Sequence, residues 1–486
     1  MKLSEQLNNS IVSYANLPAL FVDNKFITYK KLANYAKNIN TSAISEAEQI
    51  GILSYRDTHY YSAVLACALD SRTFIPLGVK LPIARLLSII EQSNLQYVLY
   101  STKYLSISQQ LKSALPNILF LCLEDLVYKD TVPTEQLQTR YRPSCIAYIL
   151  FTSGSTGAPK GVPITQANLE CYVRTMCEHL PLTNTDKVSQ VFDPTFDLSM
   201  HDIFVTWLQG ACLYVLPEAA LFAPGKFIRQ HGLTVWFSVP STVSIMAKLG
   251  MLKSDAYPSL RVSQFCGEAL PRTLAAQWQK AAPNSQIINL YGPTEATIAC
   301  SRYVFDCNDS SGSNFIPLGK ALKYMDFKID PQGELLISGP QVFSGYLNDS
   351  IKTQQCLLTT NNITYYRSGD LVKCDDKGIF HYISRVDDQV KIQGYRVELS
   401  EVNTLAQDFL SNPLVHTIAT PRQQPQSLTL FICNPADKEV EQTLIDYLKQ
   451  QLPLYMVPKK IIWIDSMPLN SNGKIDKSAL HTMMEK

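Results

Sequence analysis

The most informative segment of the chain reads Tyr148-Ile-Leu-Phe-Thr-Ser-Gly-Ser-Thr-Gly-Ala-Pro-Lys-Gly-Val162. An apolar run that predicts a buried strand leads directly into glycines and hydroxyl residues, and a lysine follows at position 160. Glycines let the backbone wrap closely around an anion, and successive N–H groups in such a loop bind phosphate. The segment therefore predicts a phosphate-binding loop, whereas a random Gly/Ser tract would be a flexible surface loop. It is not a Walker A loop, because Pro-Lys-Gly stands where that motif has Gly-Lys-Ser or Gly-Lys-Thr.

The chain around this loop alternates short apolar runs with helical patterns. The predicted strands occupy residues 49–54, 96–100, 118–122 and 145–151, and a helix is predicted over residues 82–93. Strands that alternate with helices are typical of an α/β fold with mainly parallel sheets. We therefore predict that most of the chain forms a large α/β domain.

The pattern changes in the last third of the chain. Short strands are predicted at 333–338 and 378–383, which suits a smaller β subdomain. A polar stretch at 384–389 is followed by new strands and by helices predicted at 400–409 and 438–452. We interpret this last part as a small α+β domain of about 100 residues, a size typical of an independent unit. The boundary is placed near residue 385.

Composition excludes several classes of function. The 486 residues include 43 Lys and Arg against 42 Asp and Glu, so the net charge of +1 argues against a dedicated nucleic-acid binder. A hydrophobic content of 46% indicates a globular protein rather than a disordered one. The N-terminus lacks an apolar signal-peptide core, and no apolar run reaches about 18 residues. We expect a cytoplasmic protein without a membrane span.

The cysteines and histidines do not predict a metal site. Twelve cysteines are scattered without a Cys-x-x-Cys pair, as in a reduced protein in which cysteine is a small apolar residue. The seven histidines form no metal-ligand motif. Any metal is therefore expected to arrive with a nucleotide.

The phosphate loop resembles that of the adenylate-forming enzymes, which include amino-acid adenylation domains, acyl-CoA and aryl-CoA ligases, and luciferases. Eight further segments resemble the core motifs of this family in the same order, at 27–32, 74–77, 196–199, 289–295, 333–347, 366–371, 385–398 and 472–476. The resemblance implies an N-terminal core domain over 1–384, a hinge over 385–389 and a mobile C-terminal domain over 390–486. It also implies a reaction in which a carboxylate attacks the α-phosphate of ATP and a thiol then takes the acyl group.

The same resemblance implies a set of residues that contact ATP. They are Thr152, Ser153, Gly154, Ser155, Thr156, Gly157, Lys160, Asn289, Tyr291, Gly292, Asp370, Tyr382 and Arg385. Tyr291 would stack on adenine, and Asp370 would accept hydrogen bonds from both ribose hydroxyls. Read without the family, Tyr291 to Thr294 could be a tight turn, and Asp370 a turn residue after glycine. The family string has glycine where this chain has Ser384, which affects the strand end before Arg385.

Four residues are implied as catalytic. Thr294 would contact the α-phosphate, and Glu295 would hold Mg²⁺, a hard cation that prefers oxygen ligands. Lys474 would bridge the substrate carboxylate and the α-phosphate, where a point charge stabilises developing negative charge. Asp387 would be the hinge residue about which the small domain turns between the two half-reactions. The alternatives are that Lys474 is a solvated lysine near the C-terminus and that Asp387 is a solvated acidic residue in a linker.

The resemblance also implies an amino-acid pocket, because Asp197 stands where amino-acid-activating members pair a carboxylate with the substrate ammonium group. The residues carried over to the pocket are Asp197, Leu198, His201, Thr242, Gln264, Cys266, Gly267, Leu290, Ile298 and Ala299. Segment 265–271 resembles the D-alanine carrier-protein ligases, but His201, Thr242 and Gln264 are more polar than their pockets. Three alternatives stay open: Asp197 as a helix N-cap, His201 as a structural histidine, and an alignment shifted by one position.

The predicted activity is ATP- and Mg²⁺-dependent activation of a small amino acid to its aminoacyl-adenylate, as in nonribosomal peptide synthesis. No Gly-Gly-x-Ser phosphopantetheine motif follows Lys474, so we expect a free-standing enzyme that transfers the aminoacyl group to a separate carrier protein. One alternative is an acyl-CoA or aryl-CoA ligase, which Asp197 disfavours. The other is a degenerate, non-catalytic binding protein, which the complete set of motif residues disfavours.

Overall fold

The computed structural model describes residues 2–128, 142–154, 159–307, 314–422, 425–433, 438–469 and 475–485. The chain divides into two compact units. The first comprises residues 1–79, 92–150 and 161–386, and the second comprises 80–91, 151–160 and 387–486. The predicted domain boundaries and the hinge at 385–389 stay predictions. In the part of the chain that the structure describes, no helix is long and apolar enough to cross a membrane.

The first 165 residues form a hairpin and then strands that alternate with helices. The helices are α1 (Leu3–Ser13), α2 (Tyr29–Asn40), α3 (Thr58–Leu69), α4 (Ile83–Gln92), α5 (Leu105–Ala114) and α6 (Leu123–Val127). The strands are β1 (Pro18–Val22), β2 (Lys25–Thr28), β3 (Gln49–Leu53), β4 (Thr73–Pro76), β5 (Tyr97–Tyr100), β6 (Leu119–Cys122), β7 (Ile146–Thr152) and β8 (Lys160–Thr165). The two-residue turn Asp23-Asn24 has positive φ at both positions, as a tight hairpin requires.

Strands β3 to β8 form a six-stranded sheet in the order β6-β5-β3-β4-β7-β8. The pairs β5–β6, β3–β5, β3–β4 and β4–β7 are parallel. Parallel strands covered on both faces read as continuous apolar runs, which is why β3 and β7 were recognisable in the sequence. The phosphate loop follows the carboxyl end of β7, the edge at which ligands bind in open α/β sheets.

The middle of the chain builds a second, nine-stranded sheet. Its helices are α7 (Gln166–His179), α8 (Leu198–Leu208), α9 (Glu218–Leu221), α10 (Gly225–His231), α11 (Pro240–Lys248) and α12 (Arg272–Ala281). The new strands are β9 (Lys187–Gln190), β10 (Cys212–Val215), β11 (Val235–Ser238), β12 (Val262–Phe265), β13 (Gln286–Tyr291), β14 (Ser301–Val304) and β15 (Lys320–Ala321). The sheet order is β15-β14-β13-β12-β11-β9-β10-β1-β2, with parallel pairs from β13 through to β1. The N-terminal hairpin therefore completes a sheet whose other strands come much later in the chain.

The β subdomain is a five-stranded antiparallel sheet followed along the chain by the second unit. Its elements are β16 (Asp326–Ile329), β17 (Glu334–Ser338), α13 (Ser350–Cys356), β18 (Leu357–Thr360), β19 (Ile363–Cys374) and β20 (Phe380–Arg385). Gly319 precedes it at φ +90°, and a Cβ atom there would lie 1.9 Å from the main-chain oxygen of Arg302. Gly378 has a similar φ of +72°, but a Cβ atom there would meet nothing within 4 Å.

The second unit contains two small sheets and three helices from the last hundred residues, together with α4. The elements are β21 (Gln389–Ile392), β22 (Tyr395–Glu398), α14 (Leu399–Leu410), β23 (Val415–Thr420), β24 (Ser427–Cys433), α15 (Lys438–Gln451), β25 (Lys460–Ile464) and α16 (Lys477–Glu485). Strands β21 and β22 form a hairpin, and β23, β24 and β25 form a three-stranded sheet. Val402, Leu430, Leu444 and Leu448 belong to its buried core. The predicted α/β fold class, with parallel sheets, a β subdomain and a small α+β part, is confirmed.

Candidate nucleotide and acyl sites

The carboxyl end of β13 carries several of the predicted nucleotide residues. Gly292 is required there, because a Cβ atom would lie only 2.6 Å from the Cα atom of Ala299. The chain then forms a 3₁₀ turn over Thr294–Ala296 and returns, so that the N–H of Cys300 donates to the carbonyl of Tyr291 at 2.7 Å. The return places Ala299, predicted for the acyl pocket, directly against the predicted nucleotide residue Gly292.

Glu295, the predicted magnesium ligand, is completely buried in this turn. The hydroxyl of Tyr346 donates to its Oε1 at 2.6 Å, and the N–H of Phe343 donates to its main-chain oxygen at 2.8 Å. These contacts fix the position of the carboxylate. Mg²⁺ is usually held by one or two carboxylates together with phosphate oxygens and waters, and Glu295 offers the matching donor type.

Tyr291, Asp370 and Arg385 meet through hydrogen bonds, although they lie far apart in the sequence. Asp370 and Arg385 are cross-strand partners in β19 and β20. The Tyr291 hydroxyl donates to Asp370 Oδ2 at 2.5 Å, and Arg385 Nη1 donates to Asp370 Oδ1 at 2.8 Å. Burial and the Asp370 charge raise the pKa of Tyr291, so it stays a hydroxyl at neutral pH. Each carboxylate oxygen keeps a second lone pair, which suits two further donors such as the hydroxyls of a ribose.

A second layer of side chains holds Asp370 in place. Glu334 Oε1 accepts from the N–H of Gly369 at 2.9 Å, and Arg367 Nη2 donates to Glu334 Oε2 at 2.5 Å. The Ser368 hydroxyl accepts from the N–H of Asp370 at 3.1 Å. The sequence reasoning did not assign a role to Glu334 or Arg367, although both lie within the motif segments.

Two other predicted nucleotide residues lie near this group in the fold. Asn289, in β13, donates from Nδ2 to the carbonyl of Pro317 at 2.8 Å, while its buried Oδ1 has no hydrogen-bond partner among the described residues. Tyr382 lies in β20, where it is 38% exposed. Asn289 therefore has spare accepting capacity, and Tyr382 presents an accessible ring.

Asp197, the predicted ammonium partner, lies at the start of α8. It is only 5% exposed, and its side chain makes no capping hydrogen bond to the helix. The N-cap alternative is therefore not what this side chain does. Leu198 begins the helix and is buried.

The segment after β12 packs against the start of α8. Gly267 has φ +90°, and a Cβ atom there would lie 3.5 Å from Phe196 Cζ and 3.8 Å from Leu198 Cδ1. Cys266 is buried beside it. The remaining predicted pocket residues are buried Leu290, Ile298 and Ala299, and half-buried Thr242 in α11. The structure thus places the two most distinctive parts of the predicted pocket, 196–198 and 264–267, close to each other.

A chain of buried polar side chains runs from α7 to β12. The Tyr172 hydroxyl lies 2.7 Å from His201 Nδ1, and His201 Nε2 lies 3.0 Å from Gln264 Oε1. Burial lowers the pKa of His201 to about 4, so the ring is neutral at physiological pH. Both ring nitrogens of His201 have partners, as the structural alternative expects, and its place in the substrate pocket stays a prediction. Sequence reasoning missed Tyr172, because an aromatic residue on an amphipathic helix looks like any core residue.

The described part of the phosphate loop belongs to the second unit and contacts other residues of that unit. The Ser153 hydroxyl donates to the carbonyl of Arg396 at 2.7 Å, and the N–H of Gly154 lies 3.3 Å from Glu401 Oε2. Lys160 Nζ lies 3.7 Å from Glu398 Oε1. Thr152 Oγ1 is buried without a hydrogen-bond partner among the described residues. The predicted residues Ser155, Thr156, Gly157 and Lys474 lie outside the described residues.

Glu401 is also the centre of a buried ion pair in the second unit. Arg85, on α4, donates to Glu401 Oε1, and the two side chains are 8% and 0% exposed. Burial raises the pKa of Glu401, although Arg85 opposes that shift. Asp387, the predicted hinge residue, accepts from the N–H of Gln389 at 3.2 Å.

Comparison with known proteins identifies the family. Residues 8–347 match the family model described as AMP-binding enzyme. The chain belongs to this family. The resemblance predicted from the motifs is therefore confirmed.

Individual members of the AMP-binding enzyme family are similar over most of the chain. The L-proline--[L-prolyl-carrier protein] ligase of Pseudomonas fluorescens is 27% identical, over 99% of this chain and 99% of that protein. The D-alanine--D-alanyl carrier protein ligase of Lactiplantibacillus plantarum is 34% identical, over 68% of this chain and 70% of that protein. A crystal structure of the Vibrio cholerae adenylation domain AlmE, in complex with glycyl-adenosine-5'-phosphate, has a TM-score of 0.90 and 31% identity. The superposition covers 99% of this chain and 97% of the AlmE chain.

Proposed function

We propose that this AMP-binding enzyme activates a small amino acid with ATP and transfers it to the phosphopantetheine thiol of a separate carrier protein. The observation that carries the proposal is Asp197, a buried carboxylate that directly precedes α8 without capping it through its side chain. A buried carboxylate is stabilised by a cationic group close by, and the α-ammonium group of an amino acid supplies one. The amino-acid ligases among the relatives support this choice of substrate.

ATP would be bound by residues at the ends of β13 and β19. Tyr291 would stack on adenine, while the Asp370 carboxylate, held by Arg385, would accept hydrogen bonds from the ribose hydroxyls. Thr294 would contact the α-phosphate. Glu295 would hold Mg²⁺, which would neutralise phosphate charge.

The reaction would proceed in two steps. In the first, a substrate carboxylate oxygen attacks the α-phosphorus and pyrophosphate leaves, and Lys474 stabilises the negative charge that develops between them. In the second, the carrier thiol loses its proton and attacks the acyl carbon, a thioester forms, and AMP leaves. A hinge at Asp387 would let the small C-terminal domain turn between the steps, so that Lys474 leaves the reacting groups and other residues of that domain take its place.

A cytoplasmic location is part of the proposal. All twelve cysteines are free thiols in the structure, which favours a reducing compartment.

The test is ATP–pyrophosphate exchange with every proteinogenic amino acid and its enantiomer, for the wild type and for Lys474→Ala. The matched control is Lys477→Ala, because Lys477 is a nearby exposed lysine whose partner is Asp388. We expect exchange with one or a few small amino acids, its loss in Lys474→Ala, and its retention in Lys477→Ala. Holo carrier protein and free CoA are then compared as acceptors. Folded protein that exchanges with no amino acid, or that transfers only to CoA, would contradict the proposal.

A further inference from the structure

The polar chain Tyr172–His201–Gln264 ends in a hydrogen-bond donor for which the described residues supply no acceptor. Gln264 is 0% exposed, and its Nε2 atom has no hydrogen-bond partner among the described residues. A buried amide without a partner is destabilising, so such groups are normally paired with protein, water or ligand. On the same strand, the neighbouring buried hydroxyl of Ser263 is paired with Ser285 Oγ at 2.8 Å.

The direction of each hydrogen bond follows from counting donors and acceptors. A neutral imidazole has one N–H donor and one acceptor nitrogen. If Tyr172 donates to His201 Nδ1, then His201 Nε2–H donates to Gln264 Oε1, and the amide N–H₂ of Gln264 is the one donor group left over. In the reverse arrangement, His201 Nδ1–H donates to the Tyr172 oxygen and one Gln264 N–H donates to His201 Nε2. The hydroxyl proton of Tyr172, the second Gln264 N–H and the Gln264 oxygen would then all be unsatisfied. The first arrangement leaves fewer buried groups unpaired, and it fixes the amide with its nitrogen as the unused end.

This amide lies beside the proposed acyl pocket. Gln264 lies in β12 (Val262–Phe265), and Cys266, another predicted pocket residue, directly follows the end of that strand. Burial raises the pKa of Tyr172 most, and Cys266 and Asp197 raise it further through their charges. Gly267, at the end of this segment, lies close to Phe196 and Leu198 at the start of α8, because a Cβ atom built on it would be within 4 Å of both.

We propose that the Gln264 amide donates a hydrogen bond to the side chain of the amino acid that the enzyme activates, which therefore carries a neutral oxygen acceptor on a short side chain. The substrate class is thus the hydroxyl- or carboxamide-bearing small amino acids. This inference rests on the proposed function. A carboxylate side chain is disfavoured, because it would bring a second negative charge beside buried Asp197.

His201 and Tyr172 act as positioning residues in this arrangement. The His201 ring packs edge-on against Phe237, with centroids 4.8 Å apart, which limits its rotation. The Tyr172 hydroxyl holds the proton of His201 on Nε2, and that proton holds the oxygen of Gln264. Without the hydroxyl, the imidazole can change tautomer and the amide can turn its oxygen toward the pocket, where it would repel an acceptor.

The experiment compares pairs of substrates that differ by one hydroxyl group. Serine is compared with alanine, threonine with 2-aminobutyrate, and asparagine and glycine are added, each chiral acid as both enantiomers. In ATP–pyrophosphate exchange, we expect the wild type to prefer the acceptor-bearing member of a pair by at least about 10-fold in kcat/KM. Gln264→Leu, which keeps the side-chain size, should bring that ratio close to one. Ser263→Ala, which removes a buried hydroxyl from the same strand outside the pocket, should leave the ratio unchanged.

Tyr172→Phe is the second variant, because it keeps the ring and removes only the hydroxyl. We expect a several-fold rise in KM for the acceptor-bearing substrate with little change for its deoxy partner. A merely structural role would lower activity toward both substrates alike. Preference for glycine or alanine, together with an unchanged ratio in both variants, would overturn the inference while leaving amino-acid activation intact. Silence toward every amino acid would instead refute the proposed function itself, and the inference with it.

Discussion

Replacing Arg85 with methionine removes the cationic partner of a completely buried carboxylate. Arg85 on α4 pairs with Glu401 on α14, both in the second unit. Among the described residues, the carboxylate would then keep only the long hydrogen bond of 3.3 Å from the N–H of Gly154. Methionine preserves much of the aliphatic volume, so the change is mainly one of charge. The substitution therefore isolates the cost of an unpaired buried charge.

The expected loss in the free energy of unfolding is large. Removing one partner of a buried ion pair typically destabilises a protein by about 3–5 kcal/mol, because the remaining charge is left without compensation. At 1.4 kcal/mol per tenfold change, this corresponds to a roughly 10²- to 4 × 10³-fold larger equilibrium constant for opening of the structure around Glu401. Replacing both residues, as Arg85→Met with Glu401→Leu, should recover most of the loss.

The effect of Glu401 on stability should depend on pH in a direction that its pKa shift defines. Burial raises the pKa of Glu401 in the folded protein above its ordinary value of 4.5, so the folded chain keeps this proton to higher pH than the unfolded chain does. Stability therefore falls as the pH rises from about 4.5 through the folded pKa. Without Arg85 the folded pKa rises further, and the variant should be more impaired at about pH 8 than at about pH 5.

The assay is hydrogen exchange measured by mass spectrometry on peptides from α14 (Leu399–Leu410). The control is Lys449→Met, because Lys449 and Asp446 form an exposed pair in the same unit, and the loss of such a pair changes stability little. An exchange rate in Arg85→Met within a factor of three of the wild type would refute the reasoning. So would a double variant that exchanges as fast as the single one.

Three further predictions follow from other features. Gly319→Ala should destabilise the protein by about 3 kcal/mol or more, because its Cβ atom would collide with a main-chain oxygen. Gly378→Ala, at a similar positive φ but in open space, should destabilise it by only about 1–2 kcal/mol. Thermal denaturation measures both changes. Asp370→Asn should raise the KM for ATP by about 10- to 100-fold in pyrophosphate exchange, because the charge that pairs with Arg385 and would bind ribose is lost; an unchanged KM would remove Asp370 from the nucleotide site. Asp186→Asn should reduce the loss of stability on acidification below about pH 4. Burial raises the pKa of the Asp186 carboxylate, but hydrogen bonds from an arginine and a threonine outweigh burial and lower it, so its stabilising charge is lost as the pH falls. An equally steep acid unfolding curve in the variant would contradict this.

Much of the fold could be predicted because buried parallel strands have a strong pattern. The runs that became β3, β5, β6 and β7 were each recognised as strands, and the helix predicted at 82–93 appears as α4 (Ile83–Gln92). The order of strands within the sheets could not be predicted from the sequence. Nothing in the apolar run of β1 (Pro18–Val22) indicates that it pairs with β10 (Cys212–Val215) rather than with a strand nearby in the sequence.

The candidate site was predictable to the extent that motifs name its residues. Resemblance grouped Tyr291, Asp370 and Arg385, and the structure joins them through hydrogen bonds. The supporting residues were not predictable in the same way. Tyr172 and Tyr346 lie on segments whose aromatic residues carry no signal that separates a hydrogen-bonding role from simple packing.

The two large sheets differ in when they can form during synthesis. The six-stranded sheet draws on one continuous stretch, from β3 (Gln49–Leu53) to β8 (Lys160–Thr165), and can begin to assemble as that stretch leaves the ribosome. The nine-stranded sheet cannot, because Leu20 pairs with Leu213, and β1 must wait until nearly half of the chain has been made. Contacts so distant in sequence slow folding and leave strand edges exposed in the meantime. The N-terminal hairpin is thus the segment most dependent on protection in a nascent chain.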